Sequence, residues 1–416
     1  MREKTADRQK EKVNFSKTVV RDTNVPLHTF LYGMVRIWFF LCGIRMKDAM
    51  RNAKDIQSPA IVLCNHGAFV DFVFAGSMMR KTKPNFVVAR LYFYHTALGW
   101  LLRQLGCFPK SMFALDMEST KNCLRVLKNG GILAMMPEAR LSTAGRFEDI
   151  QKNTYTFLKK CGVPVYTIKL SGDYFADPKW GKGFRRGAVI EAQMDLLFTA
   201  EQIKELPLDQ IQQGVEERLY YDEYQWLAER PHIHYRNRRL AEGLENILTV
   251  CPQCGKSYTI VTRGHQISCT HCGKLTKLNN RYGFDEGFLF PNPGQWYDWQ
   301  KKRMEEKIAA DPDFSMQAQV ELRLPGQGKT LTRPGGYGVC TLDRSGLTYE
   351  GTREGEEVKL HFTLERIYRL LFGAGVNFEV YDGAEILFFV PEEKRSCADW
   401  YLASMILHDE AARAQQ

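Results

Sequence analysis

The stretch Cys64-Asn65-His66-Gly67-Ala68-Phe69-Val70-Asp71 permits one local geometry if its histidine and its carboxylate are to act together. A helix turns about 100° per residue, so residues five apart point about 140° away from each other. His66 and Asp71 therefore meet only where a strand gives way to a turn and the turn to a helix. Ile61 to Cys64 read as a short buried strand, Asn65-His66-Gly67 break it, and a helix is expected from Phe69. Histidine titrates near neutrality and can take a proton at working pH. A carboxylate on its other ring nitrogen fixes the tautomer and stabilises the imidazolium that forms. With nine histidines in 416 residues, one such spacing taken alone also fits a structural histidine.

A second strand end carries the argument further. Leu133-Ala134-Met135-Met136 is apolar and runs into Pro137-Glu138-Ala139-Arg140-Leu141-Ser142-Thr143-Ala144-Gly145-Arg146. In α/β sheets ligands bind beyond the carboxyl ends of strands. An arginine there is a natural fork for phosphate.

These residues resemble the glycerolipid acyltransferase family of the lysophosphatidic acid acyltransferase type, over roughly residues 25–240. The family's first motif, Asn-His-x4-Asp, is matched by Asn65, His66 and Asp71. Its third, usually Pro-Glu-Gly-Thr-Arg-Ser, is met by Pro137-Glu138-Ala139-Arg140-Leu141-Ser142, nearer the variant of the branch that acylates lysophospholipids. Gly106, Phe108 and Lys110 partly match the second motif, and Val163-Pro164-Val165 the fourth. The resemblance implies an α/β domain with a mainly parallel sheet flanked by helices. It implies transfer of an acyl group from a thioester (acyl-CoA or acyl carrier protein) to a hydroxyl of a lysophospholipid or glycerol-phosphate acceptor. His66 would be the general base, oriented by Asp71. Asn65, Gly106, Phe108, Lys110, Glu138 and Arg140 would bind substrate. Arg146, Lys182, Arg185 or Arg186 could help Arg140 with the acceptor phosphate, and Glu138 would bind a glycerol hydroxyl, orient Arg140 or make a structural ion pair. Phe72-Val73-Phe74, Leu91-Tyr92-Phe93 and Trp100-Leu101-Leu102 would line an acyl tunnel or simply belong to the core. Cys64 reads as a small buried apolar residue and not as a nucleophile.

The formal charge of +9 suits anionic lipid head groups, phosphorylated substrates or nucleic acid equally. Seven of the first 21 residues are Lys or Arg against three acids, and an apolar stretch follows from Val25 to Ile44. That stretch is as long as a membrane span, but His28 and Arg36 interrupt it. An arginine near the bilayer centre costs about 2.5–3.5 kcal/mol on insertion scales. The expectation is a helix lying in the interface; the competing reading is a core helix packed on the domain. No small-residue cleavage site follows, so a signal peptide is not expected. The protein is expected at the cytoplasmic face of a membrane, peripheral or monotopic.

Eleven cysteines in a chain without secretory features point to a reducing compartment. Cys251, Cys254, Cys269 and Cys272 form two Cys-x-x-Cys-Gly knuckles separated by fourteen residues. Two such knuckles complete a closed tetrahedral S4 site, so a zinc ribbon with structural zinc is expected. His265 and His271 are read as bystanders. The competing readings are disulfides, disfavoured by compartment, and a redox pair, disfavoured by the duplication.

Short strands and helices alternate over residues 51–200, with one charged helix from Glu216 to Ala228 closing the domain. The Arg236–Arg239 run reads as a solvated face. From about Gln317 short strands separated by Gly, Asp and Arg turns end in a helix, Cys397 to Leu407, which resembles a pleckstrin-homology (PH) or GRAM-like barrel. The expected organisation is a basic N-terminus and interface helix (1–48), the acyltransferase domain (49–245), a zinc ribbon (246–282), a helical linker (283–314) and the all-β PH-like domain with its C-terminal helix (315–416). Two rival readings remain: an inactive lipid-binding scaffold of the same fold, and a nucleic-acid-binding ribbon protein. Nucleic acid is not expected as a partner, because the basic residues are not interleaved with aromatics in one patch.

Overall fold

The structure, a computed structural model, describes residues 20–51, 55–114, 116–326, 328–383 and 385–414. The basic N-terminal run up to residue 19 lies outside the described residues.

Asn24 caps α1 (Val25–Cys42) by accepting from the Leu27 N–H, Pro26 sits in its first turn, and Gly43 ends it at φ +64°. The first sheet has seven strands: β1 (Arg45–Met50), β2 (Ala60–Cys64), β3 (Asn85–Ala89), β4 (Phe108–Lys110), β5 (Ile132–Met135), β6 (Val165–Ser171) and β7 (Val189–Phe198). Their order is β1-β7-β6-β2-β5-β3-β4. All neighbours run parallel except β6 and β7. Every residue of β2 is buried, as a central strand covered on both faces requires, and its sequence is accordingly an unbroken apolar run. The connecting helices are α2 (Asp71–Met78), α3 (Thr96–Gln104), α4 (Met117–Lys128), α5 (Lys152–Cys161), α6 (Asp173–Ala176), α7 (Ala200–Glu205), α8 (Leu208–Leu219) and α9 (Glu223–Ala228).

The single closing helix expected from Glu216 to Ala228 is two helices. Its break at residues 220–222 is tertiary in origin. Tyr221 O accepts from the Phe147 N–H, Glu223 N–H donates to Gly145 O, and Asp222 both caps α9 and pairs with Arg146. No glycine or proline marks the site.

A three-stranded sheet follows, β8 (Ile260–Arg263), β9 (Gln266–Cys269) and β10 (Gly273–Lys277), in the order β10-β9-β8. Helix α10 (Pro293–Ala310) is packed and not a free spacer. Trp296 and Ile308 are fully buried, and Gln300 binds the backbone of Ile247, Thr249 and Val250. The second seven-stranded sheet comprises β11 (Ser315–Pro325), β12 (Thr332–Asp343), β13 (Gly346–Arg353), β14 (Glu356–Thr363), β15 (Leu371–Gly373), β16 (Asn377–Asp382) and β17 (Glu385–Pro391). It is antiparallel throughout, ordered β14-β13-β12-β11-β17-β16-β15, and α11 (Cys397–Ala414) packs on it through Trp400 stacked against Phe378. One contiguous hydrophobic cluster runs from the first sheet through the ribbon and α10 into the second sheet. The units therefore bury apolar surface against one another.

Candidate active site

Strands β2 and β5 are neighbours in register, Leu63 opposite Met135. Their carboxyl ends release two turns side by side. The turn after β2 holds His66, and Asp71 is the first residue of α2, where the helix dipole favours a carboxylate. His66 Nδ1 lies 3.1 Å from Asp71 Oδ2, which also accepts from the Ala68 N–H at 2.8 Å. The imidazole is one-fifth exposed and the carboxylate fully buried. Burial, then the charge of Lys179, pushes the imidazole down to about 4, so it is neutral at neutral pH. With Nδ1–H given to Asp71, Nε2 is the atom left to take a proton.

Behind Asp71 stands Asp173, at the start of α6, which no sequence motif singled out. Burial pushes both carboxyls up, and Asp71 pushes Asp173 further. The contact between them pulls Asp71 down and Asp173 up, so of the two it is Asp71, beside the imidazole, that is favoured as the carboxylate. Gly67 is obligatory here: a Cβ would stand 2.3 Å from Asp173 Oδ2.

The turn after β5 differs from expectation. Glu138 is fully buried and does not line the cavity described below. Its carboxylate accepts from the backbone N–H of His66 (2.9 Å) and of Glu148 (2.9 Å) and from Tyr221 OH. Its task is to hold the His66 turn, which replaces the expected glycerol contact. Arg140 does reach the cavity, but Nε and Nη2 are taken by Glu148, and Nη2 also by Asp149. Only Nη1 is left without a partner. Asn65 is likewise structural: its amide bridges both backbone groups of Leu170, at 3.0 and 2.7 Å, tying β2 to β6. Phe108 is fully buried, and Gly106, at φ +74°, is a turn residue; neither lines the cavity, whereas Lys110 does. Arg185 is buried against Tyr282 OH, Arg146 pairs with Asp222 and Asp298, and Lys182 and Arg186 are exposed, so none of the four faces the cavity.

That cavity measures about 1640 Å³, above the ~300–1,000 Å³ of ordinary small-molecule pockets. His66 opens into it. Its apolar lining includes Val35 and Trp38 of α1, Phe72 and Val73 of α2, and Leu101 and Leu102 of α3. Phe74 and Phe93 are core and Trp100 is exposed, so the expected tunnel segments divide between the two roles. Charged groups line it too: Lys110, Arg140 and Lys179, with Arg369 and Glu379 from the C-terminal region, which also contributes Phe372. Lys179, Phe372 and Tyr401 carry no motif that sequence reading could have caught.

Outside this cavity, the Sγ atoms of Cys251, Cys254, Cys269 and Cys272 all lie within 4.8 Å of one another. The closest separations are 3.6 Å (Cys251 to Cys272) and 3.8 Å (Cys254 to Cys269). Four sulfurs each about 2.3 Å from a tetrahedral zinc stand about 3.8 Å apart, so the cluster fits that ion. His265 is bonded to Leu278 O and Asn237 O instead.

This sheet is an α/β layer with the His66–Asp71 pair at the carboxyl end of a central strand. Residues 44–171 match the family model for Acyltransferase. The chain is similar to "1-acyl-sn-glycerol-3-phosphate acyltransferase LPAT1, chloroplastic" of Arabidopsis thaliana, 27% identical over 127 residues, which is 30% of this chain and 35% of that protein. It is also similar to "1-acyl-sn-glycerol-3-phosphate acyltransferase BAT2, chloroplastic" of Brassica napus, 26% identical over 127 residues, 30% of this chain and 36% of that one. The chain thus spans about a third of the length of the curated relatives it matches. Among solved structures, the 1-acyl-sn-glycerophosphate (LPA) acyltransferase PlsC from Thermotoga maritima aligns at 17% identity and TM-score 0.32, over 47% of this chain and 78% of that one.

Proposed function

We propose that the chain is an O-acyltransferase that moves a fatty acyl group from a thioester, acyl-CoA or acyl carrier protein, to a hydroxyl of a lysophospholipid or glycerol-phosphate acceptor. The observation that carries this is His66, held by Asp71 at 3.1 Å and opening onto a large cavity lined by apolar side chains and by the cations Lys110, Arg140 and Lys179. His66 Nε2 takes the acceptor's proton as its oxygen attacks the thioester carbonyl. The C–O bond forms, the C–S bond breaks, and the imidazolium returns the proton to the leaving thiolate. Asp71 stabilises the imidazolium in between. Lys110 and Arg140 Nη1 are the expected contacts for the acceptor's charge, while the apolar lining takes the acyl chains.

Helix α1 supports a membrane surface as partner. None of its residues is buried, and Phe30, Met34, Ile37 and Leu41, one stripe at helical spacing, are each more than half exposed. Phe69 and Phe72, at the cavity, are also exposed. The stripe lies in the lipid interface at the cytoplasmic face, and the protein is peripheral or monotopic. The cysteine cluster holds structural zinc in a ribbon over 246–282. The antiparallel sheet and terminal helix of 315–416 are read as a PH- or GRAM-like domain.

The test is acyl transfer by the full chain from labelled acyl-CoA and acyl carrier protein to lysophosphatidate and glycerol 3-phosphate. His66→Ala is expected to lose about 10²–10⁴ in rate with an unchanged melting temperature. Undiminished turnover in that variant refutes the base assignment, and no transfer by the native chain to either acceptor leaves the scaffold reading.

A further inference from the structure

The first sheet and its helices do not enclose the cavity by themselves. The C-terminal unit walls it with Phe372 of β15 and Tyr401 of α11, whose rings stack with centroids 5.0 Å apart and planes at 29°. Lys179 Nζ lies 3.4 Å from the centroid of Phe372. Arg140 Cζ stands 6.0 Å from the centroid of Tyr401. Two cations thus rest on neighbouring rings of one aromatic pair.

The two cations are satisfied very differently. Arg140 is neutralised by Glu148 and Asp149, with Nη1 left over. Lys179 has no ion pair among the described residues; its ammonium sits over one aromatic face. Burial pushes its ammonium down to about 7, with Glu148 and Glu379 pulling the other way. Those two acids act on it from a distance, and neither pairs with it directly. A tight turn fixes its position: Gly181 N–H donates to Pro178 O at 2.8 Å, and the adjacent Trp180 is buried with Nε1–H on Tyr174 OH. Lys179 also lies near enough to His66 to depress the imidazole.

We propose that Lys179, with Arg140 Nη1, seats the phosphate of the acceptor, and that Phe372 and Tyr401 of the C-terminal unit position the two cations beside His66. This rests on the acyltransferase reading above. Lys179, Phe372 and Tyr401 all lie outside the residues that match the family model. The C-terminal unit is therefore a wall of the acceptor site, and this chain chooses its acceptor with residues that the shared motifs do not contain.

Calorimetric binding separates this claim from catalysis. Full-length His66→Ala protein, with and without Lys179→Gln, is titrated with lysophosphatidate and with the matching monoacylglycerol. Loss of a charge-assisted contact is expected to weaken lysophosphatidate by about 10- to 100-fold and to leave monoacylglycerol unchanged. Lys179→Arg should recover most of the loss. Phe372→Leu leaves every charge in place and should weaken lysophosphatidate alone, by less; it carries the comparison should Lys179→Gln not fold. Equal lysophosphatidate affinity with and without Lys179, equal loss for both ligands, or no lysophosphatidate binding by the parent protein overturns the proposal. Lysophosphatidate bound through Lys179 by a native chain that transfers no acyl group overturns the acyltransferase reading alone.

Discussion

The two turns that leave β2 and β5 start from paired residues of adjacent strands, yet they do opposite things. The β2 turn presents an imidazole to the cavity and gives it one carboxylate partner. The β5 turn folds its carboxylate inward, onto the backbone of the first turn. The guanidinium that follows is spent largely on two acids. One turn is arranged for chemistry and the other to hold it in place. Residue type is similar in both, an ionisable group at a strand end. The difference lies in how many partners each group meets. A group with one partner and an open side can react; a group whose oxygens are all engaged is architecture.

His66→Ala breaks the comparison most severely, through rate without stability. Glu138→Ala should do the reverse. It orphans the part-buried N–H donors of His66 and Glu148. Each orphaned donor costs about 1–3 kcal/mol. A marked drop in melting temperature is expected, with lost activity following from a displaced His66. If Glu138→Ala melts like the native chain but is inactive, then Glu138 belongs with the substrate-binding residues after all.

How far the sequence alone leads is visible in the same two turns. The strand-turn-helix junction follows from helix periodicity and an apolar run, and both are local. The alternation of strands and helices over the first sheet is local too. What was hidden depends on partners distant in sequence or unmarked by type. Glu148 and Asp149, eight and nine residues beyond Arg140, belong to no motif, yet they take up most of its guanidinium. Asn65 looks like a motif residue, but its amide is consumed by Leu170 on another strand. Lys179 is one of many lysines, distinguished only by an aromatic ring almost two hundred residues away. The break before α9 is imposed by Gly145, Arg146 and Phe147 from outside the helix. Packing across the chain, which no periodicity encodes, decided each of these.

pH sharpens the comparison between the imidazole and the ammonium that faces it. His66 works as a base only when neutral, and burial holds its pKa near 4. Activity should therefore persist well below the ordinary histidine range near 6.5 and fall only as pH drops toward about 4. Lys179 binds an anion only when charged, and its pKa is pushed down to about 7. kcat/KM for a phosphate-bearing acceptor should fall as pH rises through about 7. Lys179→Arg, charged throughout, should remove that alkaline limb and leave the acid limb in place. A limb that survives Lys179→Arg assigns it to another group.

The smallest effect is expected within the β5 turn itself. Ala139 closes the turn, its N–H donating to Met136 O at 3.1 Å, and it does so at φ +57°. A side chain in the left-handed region costs about 1–2 kcal/mol. Glycine escapes that cost but gives back about 0.4–1 kcal/mol in the unfolded chain. Ala139→Gly should therefore stabilise by up to about 1.6 kcal/mol, the largest difference of those two terms, seen as a small rise in melting temperature. Because Glu138 holds the His66 turn from the residue before, relaxing Ala139 should leave the His66–Asp71 geometry, and hence kcat, intact. A fall in melting temperature would mean that the Ala139 methyl group, at the cavity wall, packs well enough to outweigh its backbone strain. A fall in kcat at unchanged stability would mean that the strain itself aims the turn, and that the β5 turn is more than a clamp.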